Sequence, residues 1–211
     1  LSHNREKIKE LASGQLKDEA NAWFVGEPFK VFYDYKKEGI WQLGEEAAAA
    51  ANGQEPGDIK VQDVDGNGVI TTDDRIIYSQ RPDVTFGFNN TFNYKGFDLS
   101  VFLYARLGQW IAYDYNTTYR INALENGGNV DYWTPENPTN AFPRPNKSKS
   151  YTQVTYYSTL KYEDGSFFKI RDITLGYTFK PELLKHLNLS RLRVYATAKN
   201  FFCLLYTSDA A

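Results

Sequence analysis

An acidic segment in the first half of the chain has the residue types and spacing of a calcium-binding loop. Within GDIKVQDVDGNGVITTDDR, oxygen-bearing groups recur at the ligand positions of a twelve-residue EF-hand loop. They are Asp63 at position 1, Asp65 at position 3, Asn67 at position 5, Val69 at position 7 through its carbonyl, and Asp74 at position 12. Because Ca²⁺ prefers hard oxygen ligands, this spacing predicts a structural Ca²⁺ site without a catalytic role.

Two details separate this loop from a standard EF-hand. Position 12 is Asp74 instead of glutamate, and its shorter side chain makes bidentate coordination harder, so weak binding is expected. Residues 58–62 alternate like a strand, which argues against a helix-loop-helix. The alternative is an Asx-rich turn that holds no ion, because Asp, Asn and Gly are common in turns.

The composition favours a β-rich protein and excludes several function classes. Aromatic residues make up 16% of the 211 residues, and they are frequent in strands. The net charge is only -2, without a block of either sign, so nothing indicates nucleic-acid binding. No apolar run is long enough for a transmembrane helix. The single cysteine, Cys203, has no partner for an internal disulfide, and the lack of any methionine indicates part of a longer protein.

Strict alternation predicts a long antiparallel hairpin over residues 84–94 and 97–107. A two-residue turn at Lys95 and Gly96 places Tyr94 opposite Phe97 and Val84 opposite Leu107. In this register apolar residues face each other on one side of the hairpin, and polar residues face each other on the other side. Asn90, opposite Val101, is the exception on the apolar face. Both runs have eleven residues, the length that a barrel strand needs to cross a bilayer.

A second strand pair is predicted over residues 167–179 and 192–202, with a phase slip near Asp172 that indicates a β-bulge. Pro181 suits the first turn of a short helix between these strands. If the turns at Lys95-Gly96 and at Pro181 lie on one side of a membrane, residues 108–166 form one long loop on the other, extracellular side. Residues 1–83 are then an extracellular loop region with the preceding strand or strands. Residues 4–20 have a composition typical of a helix, interrupted by Gly14.

Five segments in this order resemble the carboxy-terminal part of TonB-linked outer-membrane proteins of the SusC/RagA family. They are GDIKVQDVDGNGVITTDDR, YKGFDLSVFL, YWTPENPTNAFPR, EDGSFFKIRDITLGYTF and LSRLRVYATAKNFF, and the resemblance covers roughly residues 20–202. Residues 203–211, which include Cys203, depart from the family pattern and are interpreted as a truncated or frame-shifted tail.

The resemblance implies an all-β fold, namely antiparallel strands forming part of a 22-stranded transmembrane β-barrel with long extracellular loops. It also implies import of glycans or peptides through the outer membrane, with a SusD-type surface lipoprotein as partner. The plug domain and the contact with TonB belong to the N-terminal part of such proteins. Outer-membrane lipid would surround the barrel.

Two other function classes remain as alternatives. A secreted, calcium-stabilised β-rich binding module, dockerin-like or an adhesin, would keep the acidic loop but does not need eleven-residue two-faced strands. An enzyme with paired carboxylates at Glu163 and Asp164 is less favoured, because EDGS has the composition of a turn. Loop aromatics are candidates for stacking on sugars, or alternatively for an interfacial aromatic belt or the core of the loop: Trp110, Tyr113, Tyr115, Tyr132 and Trp133. Arg106, on the polar face, is a candidate for contact with an anionic group or for pairing with a neighbouring acidic residue.

Overall fold

The computed structural model describes residues 1–3, 5–118, 129–149 and 153–205. Twelve strands are present in this part of the chain: β1 (Lys17–Asp18), β2 (Trp23–Phe24), β3 (Val31–Tyr35), β4 (Lys37–Ile40), β5 (Ile59–Val61), β6 (Arg75–Ser79), β7 (Val84–Tyr94), β8 (Phe97–Leu107), β9 (Trp110–Ala112), β10 (Tyr162–Asp164), β11 (Phe167–Thr178) and β12 (Arg193–Leu205). The α-helices are short, α1 (Glu46–Ala51) and α2 (Pro181–Leu184). The all-β prediction is confirmed.

The chain divides into two compact units. The sheet unit comprises Leu1–Glu6, Arg81–Trp110 and the described residues from Asp164 onward, and the loop unit comprises Lys7–Gln80 and Ile111–Glu163. Among the described helices, none has the length and apolar composition to cross a membrane.

The first hairpin of the sheet unit has the predicted register. Val84 faces Leu107, Asn90 faces Val101 and Tyr94 faces Phe97. The turn residues Lys95 and Gly96 have φ values of 48° and 90°, as required by the tight turns whose twist matches a hairpin. This local geometry fixes the pairing of both strands along their whole length.

The sheet unit is completed by β11 and β12, in the order β12-β11-β8-β7 with all neighbours antiparallel. The predicted bulge is confirmed, because the register of β11 shifts between Ile170 and Asp172 against both neighbours. The last strand runs from Arg193 to Leu205. Cys203 therefore belongs to this strand, where it pairs with Lys169, and the strand extends beyond its predicted end at residue 202. Residues 206–211 of the predicted tail lie outside the described residues.

One face of the four-stranded sheet is apolar and open. Alternate residues of each strand form it, and several are exposed large side chains: Phe88 at 47%, Phe92 at 61%, Leu175 at 51%, Val194 at 58% and Leu204 at 57%. Every charged residue of the four strands lies at the other parity of the alternation or at the bulge. The sheet has the two faces of a membrane-barrel wall, one for lipid and one for water.

The loop unit contains three two-stranded antiparallel sheets, β1-β2, β3-β6 and β4-β5. Its hydrophobic core joins segments far apart in sequence: Ile40, Ile59, Val61, Trp133, Tyr157 and Leu160. Gly57 lies against this core, because an added Cβ there would be 2.7 Å from the Trp133 ring, and its φ of 90° favours glycine. The helix predicted over residues 4–20 is wrong: the described part of that segment has only the 3-10 turn Ala12–Gly14 and strand β1.

Candidate functional site

The acidic loop connects two different small sheets of the loop unit. It follows β5, which pairs with β4, and precedes β6, which pairs with β3. The strand before the loop confirms that no helix-loop-helix forms here. The backbone N–H of Ile70 donates to Asn52 Oδ1 at 2.9 Å, and Ile70 packs against the hydrophobic core, so both ends and the middle of the loop are fixed to the unit.

The side chains at positions 1, 3 and 5 form hydrogen bonds within the loop. Asp63 accepts hydrogen bonds from the backbone N–H groups of Gly66 and Gly68, both at 2.7 Å. Asp65 accepts from the backbone and the side-chain amide of Asn67, at 3.0 and 2.8 Å. These local hydrogen bonds fix the positions of the two carboxylates within the loop, as in Asx turns.

Asp74 is fully buried and closes the loop from its far end. It lies in the 3-10 turn Thr72–Asp74, which has a capping box with Thr71. The backbone N–H groups of Thr71 and Val64 donate to its two carboxylate oxygens at 2.7 and 2.8 Å. These hydrogen bonds, the one from Thr71 first, outweigh the effect of burial and lower the pKa of Asp74 below its ordinary value.

Three carboxylates converge in this loop. Asp63, Asp65 and Asp74 each offer an oxygen, and the three oxygens lie within 4.8 Å of one another. Ca²⁺ binds oxygen at about 2.3–2.6 Å, so two ligand oxygens on opposite sides of one ion are separated by about twice that distance, roughly 5 Å. The spacing of the three carboxylate oxygens matches this separation. The loop thus brings these three predicted ligands together, and a set of carboxylates with amide and carbonyl oxygens fits a hard cation.

The remaining predicted ligands are Asn67 and Val69. The Oδ1 atom of Asn67 accepts the backbone N–H of Val69 at 2.8 Å, which ties positions 5 and 7 to each other. The side chain of Val69 is 52% exposed. The predicted ligand atom of Val69 is its backbone carbonyl oxygen.

The loop aromatics differ in their availability for a ligand. Trp133 is only 4% exposed, belongs to the hydrophobic core, and donates its ring N–H to Gln42 at 2.8 Å. Its interpretation as a stacking platform is therefore wrong, and its role is packing. Tyr113, Tyr115 and Tyr132 are 49%, 55% and 43% exposed, while Trp110 is half-buried.

The adjacent carboxylates Glu163 and Asp164 each have a structural partner. Asp164 accepts the backbone N–H of Ser166 at 2.8 Å, and Glu163 accepts the side-chain amide of Asn116, also at 2.8 Å. The first of these bonds is the pattern of a turn. Both carboxylates thus accept hydrogen bonds from groups of the protein itself.

Sequence reasoning did not single out Lys169 and Arg171, two basic residues of β11, the strand that pairs with β8. The side chain of Lys169 approaches the rings of Tyr104 and Phe167, and that of Arg171 approaches Phe102. The phase slip at the bulge was the available signal, since bulges redirect side chains.

Comparison with known proteins finds TonB-dependent receptors among the relatives of the chain. No family model matches it. It is 31% identical over 95% of its length to the TonB-dependent receptor P3 of Formosa agariphila, and 31% identical over 67% of its length to the TonB-dependent receptor SusC of Bacteroides thetaiotaomicron. These matches cover 21% and 14% of the two relatives, so the chain spans about a fifth of their length or less.

Solved structures show a corresponding fold. A structure of the RagAB peptide transporter superposes on 96% of this chain with a TM-score of 0.65 and 21% sequence identity, over 23% of that transporter chain. The RagAB peptide importer in its "open-open" state superposes on 97% of the chain with a TM-score of 0.63 and 23% identity, over 22% of that chain.

Proposed function

The chain belongs to the TonB-dependent receptors of the SusC/RagA type, and from this premise we propose that the receptor containing it imports oligosaccharides or peptides across the outer membrane. The sheet unit supplies part of the barrel wall. The loop unit supplies structured segments that precede β7 and connect β8 with β11 in the chain. Energy would come from TonB through the N-terminal part of the receptor, and a SusD-type lipoprotein would act as partner at the surface.

The observation that carries this proposal is the open apolar face of the sheet unit. Leu175, in the second half of β11, is 51% exposed between Leu99 on β8 and Ala196 on β12. In water such a continuous apolar surface would favour aggregation. Against hydrocarbon it is the expected surface of a barrel. The alternative, a secreted binding module, would have to bury this face.

The substrate class rests on two different supports. One structural neighbour is described as a peptide transporter, which favours peptides. The exposed tyrosines Tyr113 and Tyr115, whose ring centroids lie 5.8 Å apart, favour sugars, because such rings stack on pyranose faces. Both classes are therefore retained in the proposal.

A pair of arginine substitutions in the full-length receptor tests the membrane-spanning role. Leu175→Arg places a charge on the apolar face, where it costs about 2–4 kcal/mol near the bilayer midplane. Thr91→Arg places the same charge on the polar face of β7 and serves as the matched control. We expect Leu175→Arg to reduce the amount of receptor assembled in the outer membrane, measured by membrane fractionation, while Thr91→Arg leaves it unchanged.

Uptake measurements test the transport role itself. Cells with and without the receptor gene are given labelled oligosaccharide and labelled peptide mixtures, with and without functional TonB. Receptor-dependent and TonB-dependent accumulation of either label is expected. Equal accumulation in both strains, or equal assembly of the two arginine variants, would contradict the proposal.

We also propose that Ca²⁺ binds the acidic loop and stabilises the loop unit. The support is the convergence of Asp63, Asp65 and Asp74, together with the predicted contributions of Asn67 and the Val69 carbonyl. Extracellular calcium modules bind with a Kd of about 10⁻⁴ to 10⁻³ M, and at ten times Kd the ion would add about 1.4 kcal/mol to stability.

Calorimetric titration of the receptor with Ca²⁺ tests the metal site. We expect Asp63→Ala to abolish the binding heat of this loop and the stabilisation by Ca²⁺. Asp73→Ala removes a neighbouring exposed carboxylate outside the cluster and is the matched control. Titration heats that are the same in Asp63→Ala and the unsubstituted receptor would refute the site.

A further inference from the structure

The charges of the four-stranded sheet are unbalanced. Five basic residues lie on these strands: Arg106, Lys169, Arg171, Arg193 and Lys199. Only two acidic residues accompany them, Asp98 and Asp172. Asp98 is bound by Arg193, whose Nε and guanidinium nitrogens donate at 3.0 and 2.5 Å. Four basic residues therefore share a single carboxylate on the rest of the polar face.

Strand register places four of these basic residues toward one end of the sheet, away from Arg193, which pairs with Thr178. Arg106 and Tyr104 on β8 pair with Phe167 and Lys169 on β11. The bulge at residues 170–172 then shifts the register by one residue and brings Asp172 opposite Phe102. Such bulges re-aim side chains, and here the bulge adds Arg171 to the group. We name Phe102, Tyr104, Phe167, Lys169 and Arg171 the cation patch.

Aromatic rings hold the basic side chains of the cation patch in place. The Lys169 ammonium lies 5.9 Å from the Tyr104 ring centroid and 5.6 Å from that of Phe167. The Arg171 guanidinium lies 5.5 Å from the Phe102 centroid. Cation–π contact limits the motion of these long side chains, so their N–H donors are partly ordered before any ligand arrives.

Asp172, the acidic residue of the four strands that lies next to Arg171 in the chain, compensates this charge poorly. The closest approach of Arg171 to Asp172 is 3.7 Å, longer than a charge-assisted hydrogen bond, and the Arg171 side chain is 54% exposed. Asp172 also pairs across the ladder with Lys199. A net positive potential therefore remains on this part of the wall, and such a surface attracts anions.

Rows of hydroxyl and amide groups continue the same face beside the cation patch. Ser100 and Asn89 are hydrogen-bonded at 3.3 Å, and Thr174 and Thr197 at 2.9 Å. The backbone groups between paired strands are used in the hydrogen bonds of the sheet. A ligand on this face would therefore contact side-chain groups. Hydroxyl and amide side chains next to basic ones suit a ligand rich in hydroxyls that also carries negative charge.

We propose that the cation patch binds the carboxylate or sulfate groups of an acidic oligosaccharide as it passes through the receptor. Arg171 supplies a planar fork that matches such groups and Lys169 supplies a point charge. The adjacent Asn, Ser and Thr rows bind the sugar hydroxyls. This inference rests on the proposed transport function and narrows its substrate class to anionic glycans.

Binding to the purified full-length receptor tests this proposal. The probes are a galacturonate tetramer, a sulfated galactose tetramer, a neutral glucose tetramer and a tetraglutamate peptide. The double variant Lys169→Gln/Arg171→Gln removes two charges from the patch. Lys180→Gln/Lys185→Gln removes two charges from exposed residues outside the four strands and is the matched control. We expect the patch variant to bind at least one acidic saccharide about tenfold or more weakly, with a smaller salt dependence, and the control to bind normally.

Several results would overturn the proposal. These are an unchanged affinity in the patch variant, an equal loss in the control variant, failure of both acidic saccharides to bind the unsubstituted receptor, or tighter binding of tetraglutamate than of either saccharide. The last result would assign the patch to acidic peptides or to an acidic segment of the receptor itself. Receptor-dependent uptake that persists alongside any of these results leaves the transport proposal intact, whereas loss of all uptake function would remove both.

Discussion

In the sheet unit, large apolar side chains remain exposed on one face, whereas in the loop unit apolar side chains from separated segments are buried together. Phe92 on β7 is 61% exposed. Trp133 in the loop unit is 4% exposed and contacts a core that includes Ile40 and Ile59. The sheet unit thus leaves its apolar surface exposed, and the loop unit uses its own for packing.

The two units therefore depend on different interactions. Register, turn geometry and cross-strand pairs specify the sheet unit, and a hydrophobic core assembled over long sequence separations stabilises the loop unit. A substitution that opens a cavity is expected to act mainly in the loop unit. A substitution that disturbs cross-strand packing is expected to act mainly in the sheet unit.

The largest expected effect is that of Trp133→Ala. Removing this buried ring leaves a cavity beside Gly57 and Ile59 and leaves the Gln42 side chain without its indole donor. Such a truncation typically costs about 3–5 kcal/mol. Hydrogen exchange measured by mass spectrometry on the full-length receptor should show faster exchange in residues 37–61 and 131–144.

Tyr132→Ala is the control for this prediction. The Tyr132 ring, adjacent in sequence to Trp133, is 43% exposed, so its removal should cost much less free energy of unfolding than the removal of the Trp133 ring. Exchange in residues 84–107 should stay unchanged in both variants. Equal acceleration of exchange in the strands and the loops would show that the two units do not differ in the way described.

Asp74→Asn should have the next largest effect. Both carboxylate oxygens accept backbone N–H groups, from Val64 and from Thr71, and an amide can replace only one of these acceptors. A buried donor left unsatisfied costs about 1–3 kcal/mol. Loss of protection should be confined to the acidic loop and strand β6, observable in the same exchange experiment.

The pH dependence of the acidic loop follows from the same contacts. Hydrogen bonds lower the pKa of Asp74 in the folded protein, so its ionised form stabilises the fold. This contribution is complete above the ordinary aspartate pKa of about 3.9 and is lost as the pH falls through the lower value of the folded protein. Exchange protection of the loop at pH 3 should therefore be weaker than at pH 6 in the unsubstituted receptor, and Asp74→Asn should show less of this difference.

The sequence predicted the sheet unit in detail because its determinants are local. Period-2 alternation identified both faces, and the Lys95-Gly96 turn fixed the register from Val84 to Leu107, which the structure confirms. The bulge near Asp172 was visible as a phase slip. The extension of β12 to Leu205 was missed because that end of the chain departs from the expected family pattern.

The loop unit could be predicted only in part. The acidic loop was recognisable from spacing, since its ligands lie within twelve residues of one another. The burial of Trp133 was not, because it depends on Gly57 and Ile59, more than seventy residues earlier in the chain. Burial between distant segments leaves no periodic signal, so exposed and buried aromatics of this region look alike in sequence.

A glycine pair in the sheet unit gives a smaller effect. At Gly176 an added Cβ would lie 2.6 Å from both the Arg193 guanidinium and the Asp98 carboxylate, whereas at Gly87 it would make ordinary contact with Phe102 at 3.5 Å. Because the crowded atoms are the ends of flexible side chains, Gly176→Ala should cost only about 1 kcal/mol, the low end for overpacking. Gly87→Ala is the matched control and should be neutral or slightly stabilising.

Urea titration of the folded barrel, followed by the loss of its heat-resistant mobility on gels, would measure this difference. Gly176→Ala should shift the midpoint to lower urea and Gly87→Ala should not. A larger shift in Gly87→Ala than in Gly176→Ala would mean that the Asp98–Arg193 pair does not contribute to the sheet as its geometry suggests.

The smallest expected effect concerns an ion pair of the loop unit. Lys60 lies 2.8 Å from Glu45, lowers the pKa of that carboxyl mainly through their hydrogen bond, and lies 4.6 Å from the centre of the Trp41 ring. Exposed pairs of this kind contribute about 0–1 kcal/mol, so Lys60→Gln should leave exchange of residues 37–61 nearly unchanged at 0.15 M salt. If Lys60→Gln instead accelerated exchange as much as Trp133→Ala, charge pairing and not aromatic burial would be the main source of stability in the loop unit, and the contrast between the two units would have to be drawn on electrostatic grounds.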